Sequence, residues 1–226
     1  MPSWGTDTGV GKTVVTPGPV AWLREAGRDA RAVKPAQTGH PPDDDAGFVA
    51  DACGIDGAAT CCRRLEPALA PDVAASVANE DLSYEGIREE TRAALAGADP
   101  GDVEGTGGLR VPLSDGREVL DLVADLGVPV VVVARSSLGT LNHSALTVAT
   151  LDRHDALVSA VVLNRYGGTS VAERTNPDVL YGMVDPPVYT LPELSFEDPA
   201  EAAAGVRDHL QRDVFPDGVS VPDGNE

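Results

Sequence analysis

An unbroken apolar run at Val128–Ala134 constrains the fold of this chain more than any other segment. A strand with one face in solvent alternates apolar and polar residues, whereas a continuous run needs apolar neighbours on both faces. A second run, Ala156–Leu163, ends at Asn164. Strands buried on both faces are typical of parallel sheets covered by helices. The two runs therefore predict an α/β fold with a mostly parallel sheet between two helical layers.

The other segments alternate between strand and helix patterns, as such a sheet requires. We predict shorter strands at Pro2–Trp4, Ala30–Val33 and Pro187–Leu191. The predicted helices are Thr13–Glu25, Asp43–Cys53, Tyr84–Ala96, Gly116–Leu126, Leu141–Leu151 and Pro199–Arg212. Pro17 and Pro19 lie inside the first helix, so it must begin late or bend there. Residues 61–83, and the turn-forming residues 98–102, are predicted to be irregular.

The length and composition predict one acidic domain. We expect a single domain over residues 1–212 and a mobile acidic tail over residues 213–226. The chain has 36 acidic and 17 basic residues, a formal net charge of −19. That charge argues against nucleic acid or an anionic membrane as a partner, because both attract basic surfaces. Abundant acidic residues with little lysine also suggest adaptation to high salt, where like charges are screened.

The cysteines and the apolar segments predict a cytoplasmic protein. Cys53, Cys61 and Cys62 show no C-x-x-C spacing, which favours a reducing interior over a disulfide framework. No stretch approaches the eighteen apolar residues of a transmembrane helix. The start at Pro2–Trp4 does not resemble a basic, apolar leader.

A glycine-rich turn between the first strand and helix predicts a nucleotide-phosphate site. The run Gly5–Thr13 reads GTDTGVGKT. Small residues let backbone N–H groups approach phosphate, and the helix N-terminus adds a favourable dipole. In such a loop Lys12 reaches the β- and γ-phosphates and the Thr13 hydroxyl binds Mg²⁺. Thr6 occupies the first glycine position of the strict P-loop pattern, so this is a variant of that loop.

Lys34 begins a second candidate segment, KPAQTG, directly after a predicted strand. Lys12 and Lys34 are the two lysines of the chain. If Lys34 follows a strand beside the loop, its ammonium can face the same γ-phosphate; the alternative is a lone surface lysine. Asp43, Asp44 and Asp45 begin a helix, where capping explains one or two of them and Mg²⁺ binding by Asp45 is an equal alternative.

Three more segments carry polar groups at predicted strand ends. Glu104, in the run EGTGG, is a candidate Mg²⁺ ligand next to a glycine-lined turn, although a simple tight turn is an alternative. The run Arg135–His143 joins a buried strand to a helix, so its backbone N–H groups are candidates for binding a substrate carboxylate. Within it, His143 is expected to lie on a helix face. Asn164 offers the paired donor and acceptor that an adenine edge needs.

Together these segments resemble the dethiobiotin synthetase family, a P-loop family of three-layer α/β/α proteins. GTDTGVGKT is shared with related ligases, but its combination with KPAQTG, EGTGGLRVPL and ARSSLGTLNH is specific to that family. The resemblance implies an ATP-dependent cyclo-ligase with Mg²⁺, which acts on 7,8-diaminononanoate and CO₂ in biotin biosynthesis. An amine of the substrate captures CO₂ as a carbamate, which attacks the γ-phosphate to give a carbamic–phosphoric anhydride. The second amine then closes a ureido ring and expels phosphate.

The resemblance also implies a role for each matching residue. Lys34, Lys12 and Thr8 would be catalytic, and Thr13, Asp45 and Glu104 would hold Mg²⁺. The nucleotide would contact Thr8, Gly9, Val10, Gly11, Lys12, Thr13, Asn164, Pro192, Glu193 and Leu194. The diamine would contact Thr8 and Thr38. Its carboxylate would be bound by Leu138, Gly139, Thr140, Leu141 and Asn142 of a partner subunit, which implies a homodimer.

Three alternatives remain at this point. A partitioning-type ATPase shares the variant loop, although the net charge of −19 opposes its binding to DNA or membrane. A cobyrinate-diamide-synthase-like or phosphotransacetylase-associated domain is a second alternative. A non-catalytic nucleotide-binding homologue is the third.

The acidic composition predicts that salt stabilises the fold. Between about 0.1 M and 1 M salt the screening length falls from about 10 Å to about 3 Å, which weakens repulsion among surface carboxylates. We expect the melting temperature to rise steeply with KCl, whereas a non-ionic osmolyte such as sucrose gives a smaller rise. Calorimetry measures both. Full stability in dilute buffer would contradict adaptation to salt.

Overall fold

The computed structural model describes residues 2–215. Its strands are β1 (Ser3–Gly5), β2 (Arg31–Lys34), β3 (Gln37–Thr38), β4 (Ala59–Cys61), β5 (Arg64–Leu65), β6 (Gly101–Val103), β7 (Pro112–Ser114), β8 (Arg117–Glu118), β9 (Val130–Arg135), β10 (Val158–Asn164) and β11 (Val188–Thr190). Its α-helices are α1 (Lys12–Val15), α2 (Pro17–Glu25), α3 (Asp45–Cys53), α4 (Pro71–Ala78), α5 (Tyr84–Ala96), α6 (Val119–Leu126), α7 (Thr140–Asp152), α8 (Val171–Tyr181) and α9 (Pro199–His209).

Two groups of parallel strands make up the central sheet. One has the order β1-β9-β10-β11 and the other β4-β2-β6. A parallel bridge between Ser3 and Glu104 joins them, and the Gly105 N–H donates to the Ser3 carbonyl at 2.9 Å. The joined order is β4-β2-β6-β1-β9-β10-β11. The carboxyl ends of these strands therefore meet at one edge, where ligands of such sheets bind.

Strand β9 is buried on both faces, as its apolar run predicted. Val130, Val132 and Ala134 belong to one core cluster, and Val131 and Val133 belong to the other. Because side chains of a strand alternate between faces, one strand supplies both cores. Helices α5, α6, α7 and α8 contribute to the first core, and α1, α2, α3 and α9 to the second. The predicted three-layer α/β/α fold is confirmed.

The helix predicted over Thr13–Glu25 is interrupted at Thr16, directly before the prolines. The first helix ends at Val15, and a second helix begins at Pro17. The first turn of a helix has no intrahelical partners for its N–H groups, so Pro17 and Pro19 are tolerated there. Lys12 consequently remains at the start of its own short helix, directly behind the glycine-rich loop.

Two segments predicted to be irregular each contain a regular element. Residues 61–83 contain α4, with Pro71 at its first position and Asn79 in the left-handed conformation (φ 55°) just beyond its end. These are ordinary helix boundary signals, which the Ala- and Pro-rich composition obscured. The turn-like segment before Glu104 forms β6, because pairing with β2 and burial of Val103 outweigh its poor local propensity.

Two helix predictions were incomplete. The helix predicted from Gly116 begins at Val119, since Gly116 (φ 71°) lies in the turn of a β7–β8 hairpin. Helix α8 was not predicted, and Pro177 lies inside it. Its start has a capping box in which Ser170 and Glu173 bind each other's backbone N–H groups, which is a signal readable in sequence.

The start of the predicted tail packs on the second core. Val214 and Phe215 are buried, and the Phe215 ring lies 6.0 Å from that of Trp22. The rest of the predicted tail, 216–226, lies outside the described residues.

The close approach of α2 and α9 at Gly18 predicts a measurable packing cost. A Cβ built on Gly18 would lie 2.4 Å from Val206 Cγ1. We expect Gly18→Ala to lower the free energy of unfolding by about 1–3 kcal/mol through overpacking, although alanine itself favours a helix. Combined with Val206→Ala it should cost less than the sum of the two changes. Gly57→Ala, which meets nothing within 4 Å, is the control in denaturant titrations. If the losses of unfolding free energy in the two single variants are simply additive in the double variant, the contact between Gly18 and Val206 is contradicted.

Candidate active site

The glycine-rich loop joins β1 to α1 and wraps the Lys12 side chain. Gly9 (φ 68°) and Gly11 (φ 96°) adopt the left-handed backbone that favours glycine. Lys12 is 7% exposed. Its Nζ donates to the carbonyls of Asp7 at 3.0 Å and Gly107 at 3.2 Å. The ammonium therefore lies between the loop and the turn after Glu104.

Asn164 hydrogen-bonds to the backbone of the glycine-rich loop. Its Nδ2 donates to the Val10 carbonyl at 3.0 Å, and its Oδ1 accepts from the Arg165 N–H at 2.9 Å. A Cβ on Gly11 would lie 2.0 Å from Asn164 Nδ2, so glycine is required there for space as well as for φ. The end of β10 and the glycine-rich loop are thus in direct contact.

Lys34, Asp45 and Glu104 form a buried charged cluster. Lys34 Nζ binds Asp45 Oδ2, Glu104 Oε1 at 3.1 Å and the Gly105 carbonyl at 3.2 Å. The Thr13 hydroxyl lies 2.9 Å from Asp45 Oδ1 and 2.8 Å from Glu104 Oε1. The ends of β2 and β6 and the starts of α1 and α3 therefore meet at one point.

Burial and neighbouring charge set the protonation of the two lysines. Burial by itself lowers the pKa of Lys34, but Glu104 and Asp45 outweigh it and raise that pKa, so the ammonium stays charged. Lys12 Nζ instead contacts two carbonyls, and burial and the Lys34 charge lower its pKa by more than Glu104, Asp45 and Asp7 raise it. Burial, followed by the Lys34 charge, lowers the pKa of Lys12 to about 8. For Asp45, burial opposes ionisation, but Lys34 lowers the pKa of the carboxyl.

The oxygens of Thr13, Asp45 and Glu104 suit Mg²⁺. Mg²⁺ prefers hard oxygen ligands and usually takes one or two carboxylates, leaving the other positions to water and phosphate. Glu104 Oε2 is buried and has no hydrogen-bond partner within residues 2–215. A buried carboxylate oxygen normally has a partner, so this oxygen is free to bind a cation. The same residues contain no cluster of three or more His, Cys, Asp or Glu that could hold a metal. The chemistry thus fits a hydrated Mg²⁺ rather than an all-protein metal cage.

A cleft of about 630 Å³ opens over this cluster. Its lining includes Thr8, Gly9, Gly11, Lys12, Thr13, Lys34, Thr38 and Asp45, all of which the sequence analysis selected. Sequence reasoning missed the wall formed by Ala68–Pro71, and also Gln37, Thr106 and Arg165. Pro71 marks the start of α4 and could have predicted a helix boundary beside the cleft.

Several predicted residues lie outside the cleft lining: the buried Glu104, Val10 and Asn164, the turn Leu138–Asn142 and the segment Pro192–Leu194. The turn Leu138–Asn142 lies at the start of α7, where Leu138 and Thr140 line a separate hollow of about 80 Å³ behind the loop. Leu138 is 89% exposed, and His143 is also exposed on its helix, as expected. Pro192–Leu194 follow β11, next to the end of β10, and Leu194 lies against Gly205 of α9.

The fold and this loop define a P-loop nucleoside-triphosphate-binding protein. The AAA domain family matches residues 4–191. Solved structures with the same fold include a ParA family ATPase from Chlorobium tepidum, with a TM-score of 0.59 and 13% identity over 92% of this chain and 90% of that one. Another is cobyrinic acid a,c-diamide synthase from Mycobacterium smegmatis with bound ATP analogue and magnesium, with a TM-score of 0.55 and 14% identity over 92% of each chain. At these identities the likeness concerns the fold alone.

Sequence relatives identify the family. The chain is 64% identical to the ATP-dependent dethiobiotin synthetase BioD of Haloferax mediterranei over 91% of this chain and 89% of that one. It is 40% identical to the BioD of Anaeromyxobacter sp. (strain Fw109-5) over 93% and 92% of the two chains. The chain belongs to the ATP-dependent dethiobiotin synthetase family. The Haloferax relative supports the halophilic character predicted from composition. Within residues 2–215, each helix is too short or too polar to cross a membrane.

The lowered pKa of Lys12 predicts pH-dependent nucleotide binding. Because a nucleotide phosphate favours the charged ammonium, affinity should fall as pH rises through about 8, where Lys12 loses its proton. Labelling lysine with ¹³C at Cε gives two resonances, since the chain has two lysines. We expect one resonance to titrate near pH 8, and to titrate higher when ADP is bound. Lys34→Arg assigns the signals, and titration of both lysines above about pH 10 would contradict the prediction.

Proposed function

We propose that the protein is an ATP-dependent dethiobiotin synthetase, which converts 7,8-diaminononanoate, CO₂ and ATP into dethiobiotin, ADP and phosphate. The observation that carries the proposal is one cleft lined by Lys12, Lys34, Thr13 and Asp45. The buried Glu104 contacts Thr13 and Lys34 from beneath that lining. The family membership supports the same activity. The three cysteines of the chain are free thiols, which suits the reducing cytoplasm.

Phosphoryl transfer needs positioning and charge neutralisation more than covalent help from the protein. Mg²⁺, held by Thr13, Asp45 and Glu104, would neutralise charge on the nucleotide phosphates. Lys12, at the end of the loop, would bind those phosphates. Thr8, on the loop, and Thr38, across the cleft, would hold the diamine between them.

Lys34 is proposed to act on the reacting atoms. The first amine adds to CO₂ and loses a proton, which gives a carbamate. A carbamate oxygen forms a bond to the γ-phosphorus as the bond to ADP breaks. The second amine then attacks the carbamate carbon and loses a proton as phosphate leaves. The ammonium of Lys34, kept charged by its two carboxylates, would stabilise negative charge on the carbamate and on the transferred phosphoryl group.

The adenine is proposed to bind near the ends of β10 and β11. Asn164 uses one N–H for Val10 and one lone pair of Oδ1 for Arg165, which leaves a second N–H and a second lone pair. Backbone groups of Pro192–Leu194 would complete this site. The base would thereby be tied to the same side chain that supports the phosphate loop.

A homodimer is proposed because the predicted carboxylate site lies away from the cleft. The turn Leu138–Asn142 lies at the start of α7, and Leu138 is 89% exposed. A partner subunit could present this turn to the cleft, with the helix N-terminus facing the substrate carboxylate. No nucleic acid or membrane partner is proposed for a chain of net charge −19.

The proposal is tested by incubating the full chain with the diamine, ¹³C-bicarbonate and Mg-ATP at high salt. We expect dethiobiotin labelled at the ureido carbon, with one ADP formed for each product molecule. Calorimetry with an ATP analogue measures diamine binding separately. Failure of the diamine to bind would overturn the proposal, and ATP hydrolysis without labelled product would favour a switch-type ATPase.

The two lysines should differ in their kinetic effects. Because the partner of Lys34 develops charge during transfer, we expect Lys34→Met to lower turnover about 100-fold or more while ATP affinity changes little. Lys12→Ala should lower both turnover and ATP affinity. Arg31→Ala, on the same strand β2 but exposed to solvent, is the control.

Melting temperatures measured at high salt show whether each variant is folded. A folded Lys34→Met variant with unchanged turnover would contradict the catalytic role.

A further inference from the structure

Gln37 joins two parts of the proposed site that are separate in sequence. Its Oε1 accepts from the backbone N–H of Asp45 at 3.2 Å, and its Nε2 donates to the Thr38 carbonyl at 2.9 Å. The side chain is 5% exposed and lines the cleft. Its own N–H donates to the Arg63 carbonyl at 2.8 Å, which anchors the backbone to β5.

The two contacts fix the orientation of the Gln37 amide. The Nε2 end faces a carbonyl and the Oε1 end faces an N–H, so rotating the amide by 180° would oppose donor to donor and acceptor to acceptor. A buried amide with both ends satisfied has one favourable orientation. Gln37 is therefore a rigid link between the strand that carries Thr38 and the start of α3.

Adjacent aspartates at the start of α3 have different roles. Asp44 is the N-cap, and its side chain accepts from the Gly47 N–H at 3.0 Å. Asp45 is the first helical residue, and its carboxylate faces Thr13 and Lys34. The first N–H groups of a helix have no partner within the helix. Gln37 supplies that partner at Asp45, so it holds the backbone from which the cluster carboxylate projects.

We propose that Gln37 is a positioning residue for the cation site, acting through Asp45. The inference rests on the proposed function, in which Asp45 is a ligand of Mg²⁺. Hydrogen-bond partners that orient a ligand residue commonly change metal affinity by 10- to 100-fold when they are removed. Gln37 would tune the divalent-cation affinity while touching neither the cation nor the reacting atoms.

The test measures Mn²⁺ binding to the full chain with a non-hydrolysable ATP analogue, by electron paramagnetic resonance at high salt. Gln37→Met keeps the length of the side chain and removes both hydrogen bonds. We expect it to weaken Mn²⁺ binding about tenfold, with metal-free affinity for the analogue unchanged. Excess Mg²⁺ should restore most of its turnover, since the ligands are intact. Gln37→Leu, which also removes both bonds, is a second variant with the same expectation.

Asp44→Ala is the matched control. It removes the side-chain cap of the same helix, one residue before Asp45. The melting temperature of the protein should fall because α3 is less stable. We expect its Mn²⁺ affinity to stay within about twofold of the original. Equal weakening by Asp44→Ala and Gln37→Met would overturn the inference, because stability of α3 would then explain both. Unchanged Mn²⁺ affinity in Gln37→Met and Gln37→Leu would also overturn it.

Turnover of the original chain separates this inference from the proposed function. Mn²⁺ binding that depends on Gln37 in a chain that makes no dethiobiotin would overturn the function and support the positioning role. Turnover that is normal in both Gln37 variants at limiting Mg²⁺ would overturn the positioning role alone.

Discussion

The ion cluster of Lys34, Asp45 and Glu104 is the interaction on which the site depends. A lysine 4% exposed and a glutamate 2% exposed would be costly to bury separately, so each requires the other. Their contacts bring together the ends of β2 and β6 and the start of α3, and Thr13 adds the start of α1. The cluster therefore assembles the proposed cation site and holds Lys34 charged at the cleft.

The parallel sheet gives this cluster its place. Because all seven strands of the joined order run parallel, Lys34, Glu104, Arg135 and Asn164 meet at one edge. The glycine-rich loop leaves the same edge, and Gly11 lets Asn164 approach it closely. Pro17 and Pro19 lie in the first turn of α2, so α1 begins at Lys12 without a proline inside it.

Local patterns predicted the elements whose apolar residues follow a clear period or an unbroken run. The unbroken run in β9, the helix Tyr84–Ala96 and the alternation of strands and helices were all readable. Strand β6 was not, because its Gly and Asp residues form a strand only through pairing with β2. The start of α6 was misplaced by a hairpin, and α4 and α8 were missed although their boundary residues were visible. Segments whose structure depends on a partner strand have weak signals of their own.

The sequence by itself determined the α/β class and the phosphate loop, because periodicity and motif spacing are local properties. The family resemblance added the further candidate residues. It also determined that Lys12 and Lys34 are the lysines available to the site. Only the tertiary structure decided which aspartate caps α3, since several suit a helix start, and it placed Asp45, which the family resemblance had selected, in the cluster. It also assigned Gln37 its partners and Lys12 its lowered pKa. Those properties depend on burial and on contacts between residues far apart in the chain, and no local pattern carries them.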